Sequence, residues 1–146
     1  MPGLPALKRP STTSPTTGAD LSKSDLTGAN LTEANLWSAN LSEANLTRAN
    51  LTGADLMWAD LRSAKLTGAN LTRANLTDAR LTKANLTDAR LTKANLTGAD
   101  LTRANLWGAD LTDANLSGAN PNGVNLNGVN LTGVSIIFGG RVVEIK

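Results

Sequence analysis

From Ala19 onward the chain repeats itself every five residues, as in Ala29-Asn30-Leu31-Thr32-Glu33 and Ala99-Asp100-Leu101-Thr102-Arg103, and the pattern continues to Val134-Ser135-Ile136. Pro121 alone interrupts the leucine column. A fixed period constrains architecture before local propensity does. Five steps along an α-helix turn the chain through roughly 500°, so successive leucines scatter around the helix. In a flat strand an odd spacing sends successive leucines to opposite faces. What fits is a chain that bends equally at every repeat, each leucine pointing to a common axis, with coils stacked at strand spacing: a solenoid. If one repeat makes one side of a square, four close a coil. Leucine and the alanine two positions before it then point inward. The residues beside leucine face out, and Gly, Lys, Arg, Asp or Glu falls at the corner, where a turn residue belongs.

Runs such as Ala49-Asn50-Leu51 and Ala99-Asp100-Leu101 match A-(D/N)-L-X-X almost literally, and in them the chain resembles the pentapeptide-repeat family. The resemblance implies an all-β fold, a right-handed quadrilateral β-helix of about six coils, roughly 29 Å long at ~4.8 Å per coil. The expected division is a Pro/Ser/Thr-rich tail over 1–18, the solenoid over 19–138 and a capping strand over 139–146. The tail contains Pro2, Pro5, Pro10 and Pro15, with Lys8 and Arg9 and no acid. It reads as a flexible extension, with an organellar transit segment as the alternative. It lacks the apolar stretch of a secretory signal, and no run approaches the ~18 apolar residues of a membrane span, so a cytoplasmic location without membrane contact is expected. The Asn-x-Thr triplets, such as Asn30-Leu31-Thr32, follow from the repeat itself.

The chain has no cysteine and no histidine. That removes thiolate nucleophiles, imidazole bases, disulfides and the usual zinc ligands together. Paired carboxylates such as Asp110 and Asp113 lie on an outer surface with no pocket to shift their protonation. No enzyme activity, no cofactor and no metal is expected.

With twenty residues to a coil, residues twenty apart become vertical neighbours. Trp37 then lies over Met57, with Trp58 beside it, an exposed apolar group near one end and the candidate contact site for a protein partner. The competing reading is that the tail or neighbouring side chains cover it. Trp107 stands on another column, alone. Asp60, Arg80 and Asp100 stack in one column and Arg90 with Asp110 in another, so cross-rung ion pairs are expected. Lys65, Arg80 and Arg90 replace the usual Asp or Asn, which questions any side-chain contact to the turn backbone there.

Acids dominate the early coils and bases the middle ones, within a net charge of +2. The basic residues split between opposite faces, Arg62, Arg80, Lys83 and Arg103 against Arg73, Arg90 and Lys93, and lack aromatic stacking platforms, which argues against nucleic-acid binding. Some proteins of the family resemble duplex DNA and bind DNA gyrase. Those are strongly acidic and end in a helical module, whereas this chain is mildly basic and ends in strand-like sequence. The column Thr32, Thr52, Thr72, Thr92, Thr112 and Thr132 resembles the flat threonine ranks of ice-binding solenoids. Arg90 and Asp110 interrupt its flanks, and stacking of threonine on threonine accounts for the hydroxyls. The uniform repetition also fits a consensus-like or designed array with a structural purpose.

Open solenoid ends expose core and unpaired edges. Beyond Pro121, Val124, Val129 and Val134 replace alanine, and Ile136–Phe138 and Arg141–Ile145 flank Gly139-Gly140. A hairpin is expected there, with Phe138 closing the core. Nothing comparable precedes Leu21, so the tail or self-association through the solenoid ends is the expected cover.

Overall fold

The computed structural model describes residues 18–138 and 141–145, with side chains described through Ile136. The tail over 1–17 and the closing of the core by the Phe138 side chain lie outside the described residues. Every fifth residue from Asp20 to Asn115 forms a parallel bridge with the residue twenty positions on, from Asp20 to Asn40 through to Asn115 to Ser135. A period of twenty over repeats of five gives four sides. Side 1 carries the leucine column of Leu21, side 2 that of Leu26, side 3 that of Leu31 and side 4 that of Leu36.

The repeat Asn75-Leu76-Thr77-Asp78-Ala79 shows why the period is five. Three of its backbone N–H groups bond to other coils: Leu76 to Asn95 C=O (2.7 Å), Asp78 to Thr97 C=O (2.8 Å) and Asn75 to Ala54 C=O (2.9 Å). The Ala79 N–H closes the turn on Leu76 C=O (3.0 Å). The Thr77 N–H donates to Asn75 Oδ1 (3.2 Å). All five donors are therefore used, as buried or half-buried backbone requires. The Asp or Asn before leucine supplies the one acceptor that the backbone lacks.

The corner residue has a positive φ at every repeat from Lys23 to Gly133, between 52° at Ser38 and 69° at Gly133. A type II turn demands this of its third residue. Nine of these corners are glycine and fourteen are not. Each non-glycine corner costs about 1–2 kcal/mol of backbone strain. The strain is tolerated because each turn sets up three bonds between coils. Gly18 marks the entry and has a different reason for being glycine: a Cβ there would lie 2.2 Å from the Ser38 carbonyl.

Leucine and alanine fill the interior, joined at the C-terminal end by the fully buried Val134. Leu41 to Leu111 and their alanines are at most 1% exposed, and no polar side chain among the described residues is buried. At the C-terminal end the core thins: Val124, Val129 and Leu131 are half-buried and Leu126 is 45% exposed. Two strands end the described chain, β1 (Val134–Phe138) and β2 (Arg141–Ile145), paired antiparallel from Val134 opposite Ile145 to Phe138 opposite Arg141. The expected hairpin is present in the backbone. It begins at Val134, inside the repeat stretch, so β1 is both side 4 of the last coil and half of the hairpin. Leu126 stays exposed on side 2 because β2 extends the ladder of side 4 only.

Burial along the rod sets the energetic ranking. Leu76→Ala removes a side chain with no exposure and is expected to cost ~2–5 kcal/mol, whereas Leu126→Ala, at the open end, costs less than half as much. Denaturant unfolding followed by circular dichroism checks the order of the two.

Candidate interaction site

Side 4 brings together the three apolar residues singled out in the sequence. Trp37 follows Leu36 and Met57 follows Leu56, so they occupy one outward column on successive coils. Their N–H groups are held by Asn35 Oδ1 (3.1 Å) and Asp55 Oδ1 (3.2 Å). Trp58 takes the next corner, at φ 59°. From that corner its ring turns toward Trp37, with centroids 5.7 Å apart and planes inclined at 41°. Its indole Nε1–H donates to Asp78 Oδ2 (3.0 Å), one rung along the corner column. Trp58 is 52% exposed, while Trp37 and Met57 are half-buried. The patch is thus a pair of tilted indoles, one of them fixed by a carboxylate, with Met57 in the same outward column as Trp37. Aromatic pairs of this geometry contribute about 0.5–1.5 kcal/mol beyond area burial. The Asp78 contact lies a full coil away in sequence and is invisible without the twenty-residue frame. Trp107, 50% exposed on side 2, has no aromatic neighbour among the described residues.

The charged columns differ from the expected ladder of ion pairs. Asp60 is bound by Arg62 of its own repeat, Nε to Oδ1 at 2.8 Å and Nη2 to Oδ2 at 2.5 Å, and only distantly by Arg80 across the rung, at 3.9 Å. Arg90 and Asp110 form no ion pair among the described residues. The cause is competition: Asp110 Oδ1 already accepts the Thr112 hydroxyl (2.5 Å) and N–H (3.0 Å), and its Oδ2 accepts the Thr92 hydroxyl (3.2 Å). These bonds hold the Asp110 carboxyl below the usual range, the Thr112 hydroxyl contributing most. Asp100 is lowered likewise by Thr102 first, and Asp60 by its hydrogen bond from Arg62 first.

Threonine hydroxyls also depart from expectation. They do not stack on one another; Thr52 donates to Asn50 Oδ1 and Thr72 to Asn70 Oδ1, each at 2.7 Å, because that acceptor lies within the same repeat. Where Arg80 and Arg90 remove it, Thr82 and Thr92 turn to Asp100 and Asp110 of the next coil. The N–H groups of Thr67, Thr82 and Thr92 have no protein acceptor among the described residues, the consequence of Lys65, Arg80 and Arg90. On side 1 a shallow polar groove of about 360 Å³ runs along Ser42, Arg62, Ser63 and Thr82 between Glu43 and Lys83. No group of three or more potential metal ligands occurs among the described residues.

The five-residue repeat, the parallel bridges and the Asp/Asn acceptor define a protein class, and sequence comparison agrees. The chain belongs to the pentapeptide repeat family, whose model matches residues 17–48, 29–68, 54–92, 69–108 and 94–133. Its fold is the right-handed quadrilateral β-helix of that family. Among solved structures it is similar to HetL, a pentapeptide repeat protein involved in heterocyst differentiation regulation in the cyanobacterium Nostoc. The two are 38% identical over 87% of this chain and 63% of HetL, with a TM-score of 0.52. It is also similar to a pentapeptide repeat protein of the Arabidopsis thaliana thylakoid lumen, 39% identical over 66% of this chain and 68% of that one, with a TM-score of 0.65. No curated protein sequence matches the chain.

The carboxylates give a pH dependence of definite sign. Asp60, Asp100 and Asp110 sit below the ordinary value of 3.8, so the folded chain prefers their ionised form. Their contribution is complete above that value and is lost as pH falls through the lowered folded values. The melting temperature is expected to stay level from neutral pH to about 5 and to drop in the carboxylate range below it. In Asp100→Asn/Asp110→Asn, where Oδ1 remains but the proton equilibrium is gone, the drop is smaller. Thermal melts across a pH series check both.

Proposed function

We propose that this protein is a non-catalytic interaction scaffold that binds a protein partner through the Trp37, Met57 and Trp58 patch. The observation that carries this is the indole pair at 5.7 Å, raised on a surface whose other outward positions are mostly threonine, asparagine and charge. The five-residue lattice requires none of these three side chains. Paired tryptophans with one ring held by a hydrogen bond bring little ordering cost to a contact, which suits a binding hot spot. HetL, with its part in heterocyst differentiation regulation, supports reading a rod of this kind as a regulatory contact surface. This chain spans 63% of HetL, and the identity of the partner does not carry over. The gyrase-directed, DNA-like reading lacks a continuous acidic face: Asp60 lies against Arg62 and Arg80, and at the middle corners Arg73, Lys83, Lys93 and Arg103 alternate with Asp78, Asp88 and Gly98.

Affinity capture from the source cell tests the site. Trp37→Ser/Trp58→Ser is expected to reduce capture of a specific protein at least about tenfold, the effect of losing ~1.4 kcal/mol or more of contact. Trp107→Ser, equally exposed on another side, leaves capture unchanged. Equal capture by all three proteins contradicts the assignment.

A further inference from the structure

Every inner coil passes its backbone bonds on by one rule. Leucine and corner N–H groups donate to carbonyls nineteen residues ahead, and the Asp or Asn N–H donates to the carbonyl twenty-one residues behind, as Leu76 does to Asn95 and Asn75 to Ala54. At the C-terminal end the N–H groups of Leu126, Gly128 and Leu131 reach no acceptor among the described residues. At the N-terminal end the carbonyls of Asp25, Thr27 and Asn30 receive no donor among the described residues. Carried across a junction between two copies, the same rule pairs Leu126 with Asp25, Gly128 with Thr27 and Leu131 with Asn30. The ends are complementary and in register because they are cut from one lattice.

The last coil also lacks the usual protection of an open edge. Natural edges are blunted by charged side chains. Here no Asp, Glu, Lys or Arg occurs between Asp113 and Arg141, and Leu126 is 45% exposed. A second copy seating on this rim buries an apolar side chain and desolvates no charge from it. Two features oppose that contact. Pro121 removes one donor on side 1. On side 4, β1 bonds to the Asn115 rung through Ser135 on one edge and pairs with β2 on the other, Ser135 opposite Glu144. β2 therefore occupies the level where a second copy's Asn35 rung has to lie, and it runs antiparallel where every coil-to-coil rung is parallel.

We propose that the two ends of the solenoid are docking surfaces for a second copy of this chain, head to tail, and that β2 keeps the contact closed by filling one of the four sides. Released from β2, the contact is heterologous and does not close on itself, so it propagates into linear oligomers.

The test uses the full-length chain. Hydrogen-bonded pairs alternate along an antiparallel ladder, so Val142→Pro/Val143→Pro removes a donor from β1–β2 pairing whichever position bonds. By size-exclusion chromatography with light scattering, the wild type is expected to run as a monomer. The variant forms species that grow with concentration past twice the monomer mass, and adding Leu126→Glu returns it to monomer. A variant that keeps the solenoid circular dichroism and stays monomeric at high concentration overturns the proposal. So does assembly that stops at a dimer or persists with Leu126→Glu. If the double variant loses its solenoid signal, Val143→Pro alone is read by the same outcomes: Ser135 spends its N–H and C=O on Ala114 and Leu116, so the bonded pairs of the alternating ladder include Ile136 opposite Val143.

Discussion

The structure depends on one local event repeated along the chain: a corner residue held at positive φ. It turns the backbone at the end of each side and so aligns the N–H and C=O groups of one coil with those of the next. Fourteen of these corners are occupied by residues that disfavour the conformation. No single corner holds itself in place; each is held by the bonds of the coils above and below. That mutual support is characteristic of repeat proteins, in which stability comes from neighbouring interfaces more than from each unit. The leucine core, the outward threonine columns and the flat sides follow from the same geometry.

The Asp or Asn before leucine has a more specific role than polarity. It satisfies the one backbone donor that neither the turn nor the adjacent coils can reach, as Asn75 does for Thr77. It also takes the threonine hydroxyl in most repeats, which is why the threonines need no contact with each other. Charged replacements at Lys65, Arg80 and Arg90 leave that donor without a protein acceptor among the described residues, and Arg80 and Arg90 redirect Thr82 and Thr92 to carboxylates one coil on. The surface lattice is thus coupled vertically at the places where a repeat departs from consensus.

Much of this was legible in the sequence because a five-residue period excludes both helix and flat strand and leaves few ways to bury leucine. Inward Leu and Ala, turn residues at the corners, the terminal hairpin and the neighbourhood of Trp37, Met57 and Trp58 all follow from spacing. Side-chain choices between competing partners did not follow. Arg90 and Asp110 share a column, yet Asp110 is taken by threonines; Asp60 prefers Arg62, two residues away, to Arg80 across the rung. Spacing specifies which groups are neighbours, while acceptor geometry decides which neighbours bond. The exposure of Leu126 was likewise hidden, since it depends on β2 covering one side rather than the whole end.

The unit of this fold is five residues, fixed by the corner and its three bonds between coils. Deleting Ala69–Arg73 removes one unit and keeps every later leucine inward; deleting Asn70–Arg73 removes four residues and breaks the phase. The five-residue deletion is expected to keep the wild-type circular dichroism per residue and a cooperative melt. The four-residue deletion loses signal and cooperativity. Similar spectra and melts for the two deletions would contradict it.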